Sequence, residues 1–536
     1  MGDYLDFLRS KVVTAPVSGF EVADEELSPA LKPHQRDSVR WALKGGRRAL
    51  FESFGLGKTV QELEFCRQVV RHEGGQALLV LPLGVRQEFV RDARELLHME
   101  PPVYVRTMAE VEACSAPLVM TNYERVRDGD IDPQYFCCTS LDEASVLREF
   151  GSKTYQTFLE KFSGVKYKLV STATPSPNRY KELIHYAGYL EIMDTGQALT
   201  RFFQRDSTKA NNLTLYPHKE EEFWLWVSTW ALFITKPSDL GYDDAGYDLP
   251  PLEVRTHVIY HDYNQVEEAD GQRMVDRDTA MSLKEAAREK RESIDARVAK
   301  AAEIVSSDPD AHFILWHDLE AERHALKKAI PGVVDIYGSM DYDKREQRVL
   351  QFANGECRLF ATKKSLSGSG CNFQRHCHRA IFVGISYEFN DFIQAIHRIY
   401  RFLQTERVII DLIYTEAENA IYLVLMEKWK QHEYLLEKMQ GILKQYGIGG
   451  VPAEQAMLRS IGVDSVIQRG TNWTAIHGDC VEETTKMGEN SLDMILTSIP
   501  FSNHYEYTPS YNDFGHNEDT NRFFQQMDYL TPHLLR

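Results

Sequence analysis

The sequence predicts an α/β protein, with two domains built on parallel sheets and a shorter unit of the same class after them. Three observations carry this. Short apolar runs alternate with helix-length segments through both halves of the chain, polar phosphate-type and acidic motifs sit at the ends of those runs, and the alternation resumes after Trp473. Continuous apolar strands spaced by helical stretches indicate sheets covered on both faces.

In chain order, the first half offers ALLVLP at 77, PLVMTN at 117, YFCCTSLDEA at 135 and YKLVSTAT at 167 as strands. The second half offers HFILWH at 312, VVDIYG at 333, RLFATK at 358, RAIFVG at 379 and RVIIDLIY at 407. Between about 195 and 300 the pattern changes. NNLTLYPHKEEEFWLWVSTWALF reads as aromatic and irregular, GYDDAGYDLPPLE as a turn-rich linker, and AAREKRESIDARVAKAAEIV as a charged amphipathic helix. The expected division is therefore a first domain with a helical insertion over 1–240, a linker and helix over 241–300, a second domain over 301–425, a helical connector over 426–470, and a C-terminal unit over 471–536.

Composition bounds the classes. A chain of 536 residues, 43% hydrophobic and 26% charged, can bury several cores and has room for roughly three domains. No run of about 18 apolar residues offers a membrane span, and the start MGDYLDFLRS lacks the order of a secretion signal. Eight scattered cysteines form no disulfide framework and point to a reducing cytoplasm. The net charge of −18 argues against whole-surface attraction to nucleic acid, so a DNA partner must be gripped in a local groove. Cys371, His376, Cys377 and His378 are metal-capable but lack the paired separation of a zinc site.

The chemical motifs follow one another. In FGLGKT, Gly55 and Gly57 let backbone N–H groups curl around phosphate oxygens, Lys58 supplies a point charge, and Thr59 at a helix start can ligate Mg²⁺. Glu52 stands where the strict loop pattern has its first glycine. Asp142 and Glu143 follow an apolar strand, one suited to the metal and one to orienting or deprotonating an attacking water. STATP occupies 171 to 175. In QAIHRIYRFLQ, residues 394 to 404, Arg398 and Arg401 stand three apart on what reads as one helix face behind Gln394, a spacing that aims two guanidinium groups at one anion.

This ordered set resembles the superfamily 2 helicases, and more narrowly the Swi/Snf-type double-stranded DNA translocases. LKPHQ at 31 to 35 looks like the adenine-reading element, with Gln35. ESFGLGKT is similar to that family's DEMGLGKT, LPLGVRQEF at 81 to 89 and TNYE at 121 to 124 to its strand-tracking elements, and LDEAS to its DEAH, with Ser145 in place of His. YGSMDYDKREQRVLQFANGE at 337 to 356 and SLSGSGCNFQ at 365 to 374, which holds Gly368, are similar to segments of the second motor domain. Tyr400 and Phe402-Leu403 depart from the family's His and Ile-Gly. The resemblance implies two RecA-like motor domains, ATP and Mg²⁺ as ligands, and double-stranded DNA as partner. Lys58, Thr59, Asp142 and Glu143 come from one domain and Arg398 and Arg401 from the other, with groups of Thr121 to Tyr123 and Ser365 to Gly370 on the DNA backbone. An RNA helicase is the alternative enzyme, disfavoured by Gln404, and a degenerate ATP-binding scaffold the non-enzymatic one, suggested by Glu52 and Ser145.

From Trp473 onward the chain reads strand, GDC, helix, a second strand DMILTS, and SIPF. This resembles the opening of Rossmann-like amino-group DNA methyltransferases acting on adenine N6 or cytosine N4. Ser498, the Ile499 and Pro500 backbone, and Phe501 would hold and stack a flipped base, and Asp479 would lie near S-adenosylmethionine. No Gly-rich loop for that cofactor follows within these residues. The resemblance suggests part of a longer helicase–methyltransferase fusion of phage or bacterial type, with restriction-modification or defence-system subunits as partners.

Overall fold

The computed structural model of the protein describes residues 2–176, 179–205, 213–260, 290–367, 372–448, 450–458, 461–499, 507–508, 510–517 and 519–536. Two parallel sheets dominate, as the alternation of apolar runs predicts. The first comprises β1 (Arg47–Glu52), β2 (Ala77–Val80), β3 (Val103–Tyr104), β4 (Leu118–Thr121), β5 (Cys138–Asp142), β6 (Tyr167–Ser171) and β9 (Ala231–Ile234), in the order β3-β4-β2-β5-β6-β1-β9. Between β6 and β9, β7 (Phe203–Arg205) and β8 (Leu213–Leu215) form a separate antiparallel hairpin. The second sheet comprises β10 (Leu252–Ile259), β11 (Phe313–His317), β12 (Val334–Asp335), β13 (Leu359–Lys363), β14 (Arg379–Phe382) and β15 (Val408–Thr415), in the order β10-β15-β14-β11-β13-β12. Every ladder within these two sheets is parallel. Central strands such as β2, β5 and β11 are buried along their whole length, which is why they read as unbroken apolar runs.

Three strands differ from the sequence reading. The interior strand β1 opens with Arg47-Arg48, a charge pair that hides its core character. The buried Arg48 guanidinium is neutralised by geometry, donating to the carbonyls of Pro16 at 3.0 Å and Arg47 at 2.8 Å and lying 5.4 Å from the Trp41 ring. The end of the stretch read as irregular, ALFI, is β9, the edge strand beside β1. In the segment read as linker, LEVRTHVI is β10, pairing along its full length with β15. Its alternation of apolar with charged residues is the mark of a half-buried edge.

The helix Asn419–Tyr446 leaves the second domain and returns to the first. Ile421 and Leu425 enter the core beneath the second sheet, whereas Leu435, Met439 and Leu443 enter the cores on either face of the first.

The C-terminal unit is held by the other end of the chain. Tyr4, Phe7 and Leu8 of helix Gly2–Arg9 share a small core with Val481, Phe514 and Phe523. Lys11 reaches the carbonyl of Tyr511 at 2.8 Å and the Gln526 side chain at 2.7 Å, and burial pushes its amine down to about 7. β16 (Val466–Arg469) and β17 (Thr474–His477) pair antiparallel. The expected second strand DMILTS is not one. Residues 493–498 form neither strand nor helix, Met494 and Leu496 are 76% and 90% exposed, and no strand among the described residues pairs with them. No helix among the described residues is long and apolar enough to cross a membrane.

Candidate functional site

The C-terminal ends of β1, β5 and β6 converge on one edge of the first sheet, the edge at which ligands of open α/β sheets collect. The chain leaves β1 through Ser53–Leu56 and starts the helix Lys58–Glu73 at Gly57. Gly55 and Gly57 have φ of +88° and +84°, a left-handed backbone that glycine adopts without strain. The loop therefore curls as its glycines predict. Lys58 Nζ folds back over it to the carbonyls of Glu52 at 2.9 Å and Ser53 at 3.4 Å, and Thr59 lies in the first turn of the helix. Four N–H groups at that helix start lack intrahelical partners, a positive concavity suited to phosphate.

Glu52, in place of the usual glycine, points into the first-domain core. Its side chain is fully buried, accepts from Gln61 Nε2 at 2.7 Å, leaves Oε1 without a partner, and is pushed up to about 7 by that burial. Gln35 is tied to the same loop. Its Oε1 accepts from Lys32 N at 2.9 Å and its Nε2 donates to Leu56 O at 2.8 Å, so in this structure it braces the loop.

Asp142 ends β5 and Glu143 follows it with φ +49°, a strained conformation for a non-glycine residue. The Asp142 carboxyl is pushed well above the carboxylate range by burial and by the neighbouring Glu62 and Glu143. Glu62, unread in the sequence, is wholly buried on the helix after the loop. It accepts from Ser140 Oγ at 2.7 Å and keeps Oε1 without a partner. Its signal was a carboxylate among Val60, Leu63 and Phe65 on a core-facing helix side.

Arg398 and Arg401 do not lie on a helix. The helix Phe389–Ile396 stops before them, and both stand in the turn that follows. Tertiary bonds redirect the chain: Phe373 N donates to Arg398 O at 3.1 Å, His397 Nδ1 contacts Tyr400 O at 2.7 Å, and Leu403 takes φ +70°. That left-handed position is where the resemblance places Gly.

This turn presses on the phosphate loop. A Cβ on Gly55 would stand 2.9 Å from Phe402 Cβ, and His397 stacks on Phe54 with ring centroids 4.3 Å apart. Gln394 Nε2 donates to Glu143 Oε2 at 3.3 Å, and Thr174 Oγ1 of STATP to Asn390 Oδ1 at 2.5 Å. Arg398 is 4% exposed with Nε unpartnered. Arg401 bonds Asn372, and loss of hydration draws it down to about 10 despite the opposing pull of Glu88 from the first domain. The turn that holds Arg398 and Arg401 thus sits against the loop that leads to Lys58 and Thr59, with Gln394 reaching Glu143 beside Asp142.

Several expected residues lie elsewhere. Thr121 and Tyr123 are buried: Thr121 Oγ1 donates to Val105 O at 2.8 Å, and Tyr123 Oη braces the acidic strand by donating to Asp142 O at 2.6 Å. Gly368, Pro500 and Phe501 lie outside the described residues. Ser498 is exposed. Asp479 is spent: Oδ1 accepts from Val481 N and Glu482 N, and Oδ2 from Tyr4 Oη and Asn512 Nδ2. A carboxylate so filled and buried does not fit a role on S-adenosylmethionine.

For Mg²⁺ the residues do fit. Asp142, whose carboxyl is held up by burial and by Glu62 and Glu143, offers a carboxylate oxygen, and Thr59 at the helix start a hydroxyl, the hard oxygen donors that this cation takes. Among the described residues no three His, Cys, Asp or Glu are placed to hold a metal ion by themselves.

No family model and no curated protein matches the chain. Among solved structures it is similar to the "Sulfolobus solfataricus SWI2/SNF2 ATPase core in complex with dsDNA", with a TM-score of 0.36 and 17% sequence identity, over 79% of this chain and 97% of that one.

Proposed function

We propose that the chain is an ATP-hydrolysing motor that moves on double-stranded DNA. The observation that carries this is the seating of the arginine turn on the phosphate loop, Phe402 against Gly55 and Gln394 on Glu143. Two domains that complete one site can tie hydrolysis to their relative motion.

In this reading the backbone N–H groups at Gly55–Thr59 cradle the phosphates and Lys58 leaves the loop carbonyls to meet the terminal phosphoryl group. Asp142 and Thr59 would hold Mg²⁺, which when bound neutralises charge on the phosphates. Glu143 orients the attacking water and is itself aimed by Gln394. Arg398 and Arg401, already short of water, place positive charge where the transferring group becomes more negative. A guanidinium desolvated in advance reorganises little when that charge develops.

The test is steady-state ATP hydrolysis by the full chain, alone and with duplex DNA or duplex RNA. Stimulation by duplex DNA, weakening as salt rises, is expected. Hydrolysis stimulated by RNA alone would favour an RNA helicase, and none under any condition a nucleotide-binding scaffold. The proposed coupling to amino-group DNA methylation rests on the resemblance of residues 473–501 alone, and Asp479 is not assigned to its cofactor.

A further inference from the structure

Three residues from distant parts of the chain meet at the rim of the phosphate loop. Lys32 precedes the helix Pro33–Gly45, Tyr247 lies in the turn before β10, and Phe402 follows Arg401. The Tyr247 and Phe402 rings lie 4.4 Å apart between centroids at 31°. Lys32 Nζ stands 4.2 Å from the centre of Phe402 and 4.5 Å from that of Tyr247, and donates to Tyr247 Oη at 2.9 Å. Both rings are partly buried and neither is closed off from solvent.

The position of this pair is set from both sides. Phe402 abuts Gly55, and Leu403 N donates to Gly246 O at 3.4 Å, which fixes the turn of Tyr247 to the arginine turn. Beneath Tyr247 lies His34, edge-on at 5.6 Å, 1% exposed and with Nε2 unpartnered. An unsatisfied buried ring nitrogen, a cation and two partly buried aromatic rings thus border the phosphate loop. Gln35, the neighbour expected to read a base edge, already uses both ends of its amide on Lys32 N and Leu56 O. Binding energy for a base must then come largely from surface contact.

Resting on the reading of this cleft as a nucleoside triphosphate site, we propose that Phe402 and Tyr247, with Lys32, form the wall on which the nucleotide base stacks. The base is then held partly by the second domain. Phe402 stands where the resemblance has an aliphatic residue, and its ring supplies a planar face that a branched chain does not. Because Phe402 travels with Arg401, stacking of the base and delivery of the arginines occur together. A triphosphate without a base would bind the loop and gain nothing from the wall.

The experiment measures KM and kcat for ATP hydrolysis in the full chain carrying Phe402→Ala, Tyr247→Ala or Phe402→Trp, together with inhibition by inorganic tripolyphosphate. Each alanine variant should raise KM for ATP about tenfold or more, the range of base–aromatic stacking, and leave the tripolyphosphate inhibition constant within about twofold. Phe402→Trp should restore KM. Equal shifts for ATP and tripolyphosphate would overturn the wall, since the residues would then act through the loop at Gly55. An unchanged KM would overturn it too, and so would a lower one, because the ring would then be occupying the base position. Wild-type protein that hydrolyses no ATP at all would overturn the nucleotide reading itself, an outcome distinct from hydrolysis insensitive to Phe402.

Discussion

Replacing Glu52 by Gln should stabilise the protein above neutral pH, and the structure gives the size of the effect. The carboxyl is fully buried, and burial, the largest influence on it, raises it from 4.5 to about 7, against the pull of Lys58 and Gln61. A group whose folded value lies above its unfolded value binds more protons when folded, so its contribution is whole below about 4.5 and lost as pH rises through about 7. Forcing this carboxyl to ionise costs about 3 kcal/mol. Glu52→Gln keeps the shape and the contact with Gln61 but cannot ionise. Melting temperatures of both proteins between pH 5 and 8.5 provide the assay, and their difference removes the titration common to both. The advantage of the variant should be small near pH 5 and grow to several degrees at pH 8.5. A variant less stable than wild type at pH 8.5 would mean that Glu52 is ionised and paired with Lys58, and that the burial argument fails.

Glu143→Gln should retain nucleotide binding while turnover nearly vanishes, measured by fluorescent-nucleotide titration beside phosphate release; wild-type turnover would remove Glu143 from the chemistry. Arg401→Ala should cut kcat on the order of 10³-fold with a smaller change in nucleotide affinity, and Arg401→Lys should not rescue it, because a point charge lacks the planar fork. Leu403→Gly should be more stable than Leu403→Ala by about 1 kcal/mol in thermal or urea unfolding, since only glycine escapes the cost of φ +70°. Equal stabilities would show that the left-handed turn is not kept in solution.

Strands buried on both faces were legible because their apolar runs are unbroken, and this located Asp142 and Glu143 at the end of β5. What the sequence hid has local causes. Arg47-Arg48 disguises the buried strand before the phosphate loop, because backbone carbonyls rather than carboxylates face the Arg48 charge. QAIHRIYRF carries helical spacing, yet the helix ends at Ile396. Contacts distant in sequence, Phe373 to Arg398 and Phe402 to Gly55, decide the path, and no local propensity reports them. The bracing role of Gln35 had a visible signal: Pro33 at the first helical position marks the helix start, and Gln35 at the third position reaches back to accept from Lys32 N. DMILTS has the composition of a strand, but no strand among the described residues pairs with it, and apolar composition does not make a strand without a partner ladder.

The helix Asn419–Tyr446 limits how the cleft can open. It spans roughly 40 Å at the usual rise per residue and is anchored in the second-domain core at Ile421 and Leu425 and in the first at Leu435, Met439 and Leu443. Pulling the domains straight apart would strip one end, and exposing two large aliphatic side chains costs on the order of 3 to 6 kcal/mol. Rotation about the helix leaves those contacts buried. The contacts across the cleft are weaker: a 3.3 Å bond from Gln394 to Glu143, a stacked Phe54–His397 pair, and Phe402 on Gly55. They break first, so the least costly opening swings the arginine turn away from the phosphate loop while the helix remains seated, which is the displacement a cycle of nucleotide binding and release would use.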